Sequence, residues 1–282
     1  MPLRLLHLAG SALGILTYRA SSAYREHLDA NLRQAGYGDP ATLAAAIREA
    51  GKAITELPAV WLRPPGAVAR LVVETSGWEH IEAAHAAGRP IIFLTPHLGC
   101  FEITAQIYAH RAPAGKPITV LYRRPRKAAL TPLIEAGRGR PNMRLASADF
   151  AGVRALIRAL RRGEAAGLLP DQTPRFGEGV WAPFFGKQAY TMTLVKRLMR
   201  ASDAVMLLAF AERLPRGRGY RLMVRPFDAA LSNEMTAAVA QINTALESLI
   251  RECPAQYLWS YDRYRVPAGQ QGGLTDSLAS DA

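Results

Sequence analysis

The sequence predicts an α/β fold in which a central, mostly parallel sheet is flanked by helices and preceded by an N-terminal helical membrane anchor. Three observations carry that expectation. From residue 71 onward, short apolar runs of strand length alternate with segments of helix length, the pattern of parallel strands joined by helical crossovers. Hydrophobic residues make up 49% of the 282 residues, enough for a packed core and too many for an intrinsically disordered chain. The opening segment, Leu3–Ala20, reads LRLLHLAGSALGILTYRA, and from Leu5 to Leu16 only His7 and Ser11 are polar.

That first apolar run is shorter than the roughly 20 residues a bilayer span requires. Arg4 and Arg19 bracket it, as they would for a helix that snorkels or lies in the interface, so residues 1–20 are read as a membrane anchor or monotopic helix. The alternative is an ordinary N-terminal core helix. Residues 22–62 read as helical, with a break at Asp39-Pro40 and a kink near Pro58. Strands are then expected at Leu71–Glu74, Ile91–Thr95, Ile118–Tyr122, Met143–Ala146, Ala166–Leu169, Val205–Phe210 and Tyr220–Arg225. Helices are expected at Trp78–Ala87, Phe101–His110, Pro125–Ala136, Phe150–Arg162, Met192–Ala201 and Glu234–Cys253. A long Pro/Gly loop is expected to run from Leu169 to Gln188, and a turn at Arg216–Gly219. One catalytic domain over 21–267 and a disordered tail over 268–282 complete the organisation.

The formal charge of +12 is unevenly distributed. Residues 1–110 carry nine basic and nine acidic side chains, and residues 163–282 carry thirteen and twelve. Residues 111–162 carry thirteen basic side chains against Glu135 and Asp149, a net of +11. Only five of the 35 basic residues are lysine, and the planar arginine fork suits phosphate and carboxylate. Arg124, Arg126, Lys127, Arg154, Arg158, Arg161 and Arg162 are therefore candidates to meet an anionic partner. A non-catalytic nucleic-acid or membrane-surface binder is the competing class. It is disfavoured because only Tyr122 and Phe150 are aromatic in this stretch.

Three strand ends hold residues capable of chemistry. Thr95-Pro-His97-Leu-Gly99-Cys100-Phe-Glu102 follows the apolar run IIFLT, and the carboxyl ends of strands are where open α/β sheets place their crevice. With Glu102 on the first turn of the next helix, its carboxylate is expected to reach the His97 ring, fix its tautomer and stabilise the imidazolium. Arg123 ends the strand ITVLY, and Asp171-Gln172 follow Leu168-Leu169-Pro170, so Arg and Asp are expected on the same rim. The apolar run Val180–Gly186 supplies Trp181, Phe184 and Phe185 as candidates to line an apolar groove. No GxSxG elbow, GxxxxGK[ST] loop or HExxH pair occurs. Cys100 and Cys253 are too few for a disulfide scaffold or a four-ligand zinc site, and a reducing compartment is the default. No metal and no cofactor is called for.

Taken together, His97-x4-Glu102, Tyr122-Arg123, Asp171-Gln172, the run Val180–Thr191 and Pro254-Ala-Gln-Tyr-Leu-Trp259 continuing to Arg263-Tyr-Arg265 resemble the bacterial lipid A biosynthesis (late) acyltransferases. These lie within the wider glycerolipid acyltransferase fold, and the resemblance covers roughly residues 5–266. It implies that His97 is the general base, Glu102 orients it, and Arg123, Asp171 and Gln172 bind or align substrate. It also implies an acyl carrier protein as donor, a glycolipid acceptor, and residence at the cytoplasmic face of the bacterial inner membrane, with no nucleic-acid partner. Cys100-Phe101 stand where the family has an Asn-Trp-like pair. Because related enzymes apply the same core to other lipids, the core alone does not name the acceptor.

Overall fold

The computed structural model describes residues 1–123, 125, 129 and 131–269. Three helices open the chain, α1 (Leu3–Ala20), α2 (Ser22–Gln34) and α3 (Pro40–Thr55), followed by the short α4 (Leu57–Trp61) and α5 (Pro65–Ala69). The start of α3 is set by Asp39, whose carboxylate accepts the Thr42 N–H at 2.9 Å, and by Pro40 in the first turn. The chain breaks between α3 and α4 where a kink at Pro58 was expected, because Pro58 takes an N-terminal helical position that needs no donor.

β1 (Val72–Ser76), α6 (Trp78–Ala86), β2 (Ile91–Leu94), α7 (Phe101–Arg111), β3 (Ile118–Tyr122), α8 (Thr131–Arg138), β4 (Met143–Ser147), α9 (Phe150–Arg161) and β5 (Ala165–Leu168) follow the predicted alternation. Of the helix expected over Pro125–Ala136, residues 126–128 and 130 lie outside the described residues, as does residue 124 before it. The expected tail lies there too, from residue 270.

The long loop expected up to Gln188 is in part a hairpin, β6 (Gly179–Phe184) and β7 (Lys187–Met192). Its two-residue turn has positive φ at Phe185 (47°) and Gly186 (76°), the requirement of a type I′ connection. Pro183 hid this hairpin in the sequence, yet proline is tolerated in a two-stranded ribbon whose outer edges are unpaired. Because β7 claims Met192, the next helix, α10, is shortened to Leu194–Arg200. β8 (Val205–Arg213), β9 (Tyr220–Pro226) and α11 (Met235–Ile250) complete the chain.

Seven strands form one sheet in the order β1-β9-β8-β2-β5-β3-β4. Five of them, β8, β2, β5, β3 and β4, run parallel as neighbours, while β9 is antiparallel to β8. Alternation along β2 divides the core: Ile92 and Leu94 join α2, α9 and α11 on one face, whereas Ile91 and Phe93 join α6 and α7 on the other.

No helix among the described residues is long and apolar enough to cross a membrane. Helix α1 instead packs along α3. A Cβ on Gly51 would lie 1.9 Å from the Gly10 carbonyl oxygen, so these backbones meet only because glycine stands there. The opposite side of α1 exposes Leu5, Leu8, Leu13 and Leu16, between the exposed Arg4 and Arg19.

Candidate active site

β2 and β5 are neighbours, and their register places Leu94 opposite Leu168. Three residues beyond that pair on each strand stand His97 and Asp171. Pro96 ends β2, and the turn that carries His97 is closed at Gly99, whose φ is +59° and whose added Cβ would sit 2.0 Å from the Ala211 carbonyl oxygen. The turn is thereby held against β8, with the Cys100 N–H donating to Ala211 O at 2.8 Å.

Asp171 Oδ1 lies 2.8 Å from His97 Nδ1, and Asp171 Oδ2 accepts the His97 backbone N–H at 2.8 Å. An ionised carboxylate only accepts, so this contact places the proton on Nδ1 and leaves the lone pair on Nε2. Nε2 faces the Gln172 side-chain nitrogen at 3.2 Å, and the Phe101 ring packs 4.8 Å from the imidazole. Burial alone would raise the Asp171 carboxyl. The His97 charge, its two hydrogen bonds and the Arg263 charge outweigh burial and hold the carboxyl below its usual range. Tyr257, buried beside it, is pushed well above the ordinary phenol value by burial and by the Asp171 charge.

Glu102, expected to orient His97, is turned elsewhere. Its carboxylate accepts from Arg138 Nε at 3.0 and 3.1 Å, from Arg138 Nη2, and from Trp61 Nε1 at 3.2 Å. As the second residue of α7, its side chain points beneath α8 and α4, while Asp171 already occupies Nδ1. Glu102 and Arg138 line the same cavity as His97.

That cavity, of about 290 Å³, lies between α6, α7 and the sheet. His97, Phe101, Arg123 and Gln172 stand among its walls with the apolar side chains of Phe93, Val120, Leu222 and Val224. Gly167, central in β5, faces it between Phe93 and Val120. Arg123 sits where expected, exposed at the end of β3, donating to Thr173 O at 3.3 Å.

The apolar run of β6 is misplaced for a groove. Phe184 and Phe185 are buried in the core on the other face of the sheet, stacked with Tyr257 and Trp259, and Trp181 packs on Tyr190. The β6–β7 hairpin is bound to α11, where the Phe185 N–H donates to Glu247 at 2.7 Å and Asn243 Nδ2 to Pro183 O at 2.8 Å.

The basic middle of the chain is largely engaged in structure. Besides Arg138, Arg140 donates to the carbonyls of Val60 and Trp61, and Arg144 and Arg162 share Glu164. Arg154, Arg158 and Arg161 stand exposed on α9. Arg124, Arg126 and Lys127 lie outside the described residues.

One network escaped sequence reasoning. Arg213, at the end of β8, donates to Gly99 O at 2.6 Å and to both oxygens of Glu56 at 2.8 and 2.9 Å. Tyr220 and His7 complete the shell around Glu56, tying α1 and α3 to the His97 turn. Nothing in the local sequence marks these residues, since each comes from a different element. Cys100 adjoins the network, where burial and the Glu56 charge push its thiol well above the ordinary value. Among the described residues no cluster of His, Cys, Asp or Glu could hold a metal ion.

Comparison with known proteins meets this geometry. Residues 1–266 match the family model described as bacterial lipid A biosynthesis acyltransferase. The chain is 29% identical to the lipid A biosynthesis lauroyltransferase of Escherichia coli strain K12 over 220 residues, covering 77% of this chain and 69% of that protein. It is 27% identical to the palmitoleoyltransferase of the same strain over 230 residues, 81% of this chain and 73% of that protein. It is 24% identical to the myristoyltransferase over 190 residues, 66% of this chain and 57% of that protein. A strand-end histidine with its carboxylate, opening on an apolar cavity, and a match across nearly the whole chain lead to one conclusion: the chain belongs to the bacterial lipid A biosynthesis acyltransferase family.

Proposed function

We propose that the protein transfers a fatty acyl chain from an acyl carrier protein thioester to a hydroxyl of a phosphorylated lipid A precursor, at the cytoplasmic face of the inner membrane. The single observation that carries this reading is the His97–Asp171 pair beside a largely apolar cavity. The acceptor hydroxyl takes the place of the Gln172 amide at Nε2. His97 removes its proton as the oxygen attacks the thioester carbonyl, and Asp171 stabilises the imidazolium. When the tetrahedral intermediate collapses, the C–S bond breaks and His97 returns the proton to the leaving thiolate, giving an ester and a free thiol.

The acyl chain lies in the cavity under β5, where each buried methylene contributes about 0.8 kcal/mol. Arg138, held in a fixed fork by Glu102, and Arg123 receive the acceptor's phosphate. Glu102 is then a positioning residue acting through Arg138. The exposed leucines of α1, bracketed by Arg4 and Arg19, lie in the membrane interface without crossing it.

Purified protein incubated with acyl carrier protein thioester and a lipid A precursor, followed by mass spectrometry, tests the reaction. An acceptor heavier by one acyl group is the expected product, and an unmodified acceptor overturns the reading. Leu8→Glu with Leu16→Glu tests the location: co-sedimentation with anionic vesicles is expected to fall about tenfold or more, and undiminished co-sedimentation refutes it.

A further inference from the structure

Helix α9 has two unlike faces. Leu156, Ala159 and Leu160 are buried against the sheet, whereas Arg154, Arg158 and Arg161 project into solvent at i, i+4 and i+7. The guanidinium of Arg154 lies over the ring of Phe150, which is 78% exposed. Like charges at this spacing repel one another, and among the described residues none of the three arginines has an ion-pair partner. An uncompensated stripe of planar cations is complementary to carboxylates arrayed on a facing surface.

Its place in the fold limits what that surface is. Asp149 caps α9, and Ala148 immediately before it lines the acyl cavity, so the stripe begins beside the site and runs away from it over about 10 Å. Helix α9 packs on β3, β4 and β5 at one edge of the sheet. Helix α1, with its exposed leucines, packs on α3 and on the 215–217 turn between β8 and β9, toward the other edge. The arginine stripe and the exposed leucines of α1 therefore stand toward opposite edges of the sheet.

We propose that the arginine face of α9, with Phe150 at its head, docks the acidic carrier protein that delivers the acyl thioester. This rests on the donor reading given above. The carrier sits against the stripe while its flexible thioester-bearing arm reaches past Ala148 to His97.

The test compares two donors carrying the same acyl chain, one on acyl carrier protein and one on free pantetheine. The full-length protein is used as wild type, as the triple variant Arg154→Ala/Arg158→Ala/Arg161→Ala, and as the corresponding triple Glu variant. A control variant, Arg33→Ala/Arg48→Ala/Arg70→Ala, removes the same charge from other exposed sites. The α9 alanine variant is expected to raise KM for the carrier-borne donor about tenfold or more and the glutamate variant further, with kcat held. The salt dependence of that KM should shrink, and turnover of acyl-pantetheine, which also certifies the fold, should stay at the wild-type value. An unchanged carrier KM, or an equal rise in the control variant, overturns the proposal. So does a loss of binding to anionic vesicles with the carrier KM intact, which would turn α9 to the bilayer. Wild-type transfer from pantetheine that gains nothing from the carrier refutes the docking surface alone, whereas no transfer from either thioester removes the donor reading with it.

Discussion

The carboxylate of Asp171 holds His97 twice, at the ring Nδ1 and at the backbone N–H, each at 2.8 Å. One side chain therefore fixes both the tautomer of the imidazole and the turn that presents it. Two hydrogen bonds to a single buried carboxylate leave the ring little rotational freedom, and Nε2 is the nitrogen turned toward the cavity side, where Gln172 stands.

If His97 is the base, His97→Ala is expected to lower kcat about 10²- to 10⁴-fold with the circular dichroism spectrum unchanged. Asp171→Asn keeps the shape of the site and removes its charge. A loss of similar size is expected, because the carboxylate no longer fixes the tautomer or supports the developing imidazolium. Wild-type rates in either variant would falsify the pair.

If Glu102 acts through Arg138, the two should fail in the same way. Glu102→Gln and Arg138→Met are each expected to raise KM for the phosphorylated acceptor about tenfold or more while the donor KM changes little. Arg138→Lys should recover little of the loss, since an ammonium cannot reproduce the two-pronged contact. A uniform fall in kcat with both KM values intact would point to a direct part in proton transfer instead.

Gly167 opens the middle of the cavity. A Cβ there would stand 3.4 Å from Ile118 and Val120, so a larger side chain has only the cavity to enter. Gly167→Leu is expected to shift donor preference to shorter acyl chains, read as the ratio of kcat/KM across a chain-length series. Each excluded methylene is worth about 0.8 kcal/mol, or roughly fourfold. An unchanged preference would place the chain elsewhere.

Glu56 couples stability to pH. Burial alone would raise its carboxyl, but the Arg213 charge and the bonds from His7 and Arg213 bring it from 4.5 down to about 2. A folded-state value below the unfolded one stabilises the fold fully above about pH 4.5 and is lost as pH falls toward 2. The contribution is on the order of 3 kcal/mol. Glu56→Gln should therefore flatten the acid limb of the unfolding curve. Arg213→Met, which strands a buried carboxylate, is expected to cost about 3–5 kcal/mol in urea unfolding at pH 7. Because Arg213 also holds Gly99 O, transfer activity should fall with it.

Much of this protein was legible in its residues. The runs Ile91–Leu94, Ile118–Tyr122 and Ala165–Leu168 are strands because short apolar stretches bounded by turn residues are buried on both faces, and that is a local property. The placement of His97, Arg123 and Asp171 at strand ends followed from the same local pattern. Which carboxylate meets His97 was not local. Glu102 is five residues away in the chain, yet the geometry of the first turn of α7 carries it to Arg138. Asp171 is 74 residues away and arrives beside the ring because β2 and β5 are neighbours in register. The cavity beside His97, the burial of Phe184 and Phe185 on the opposite face, and the Glu56–Arg213 anchor also depend on which elements pack together. Hydrophobic pattern specifies that a segment is a strand and which way its ends point. Strand order and helix packing, set by the summed burial of the whole chain, decide which side chains touch.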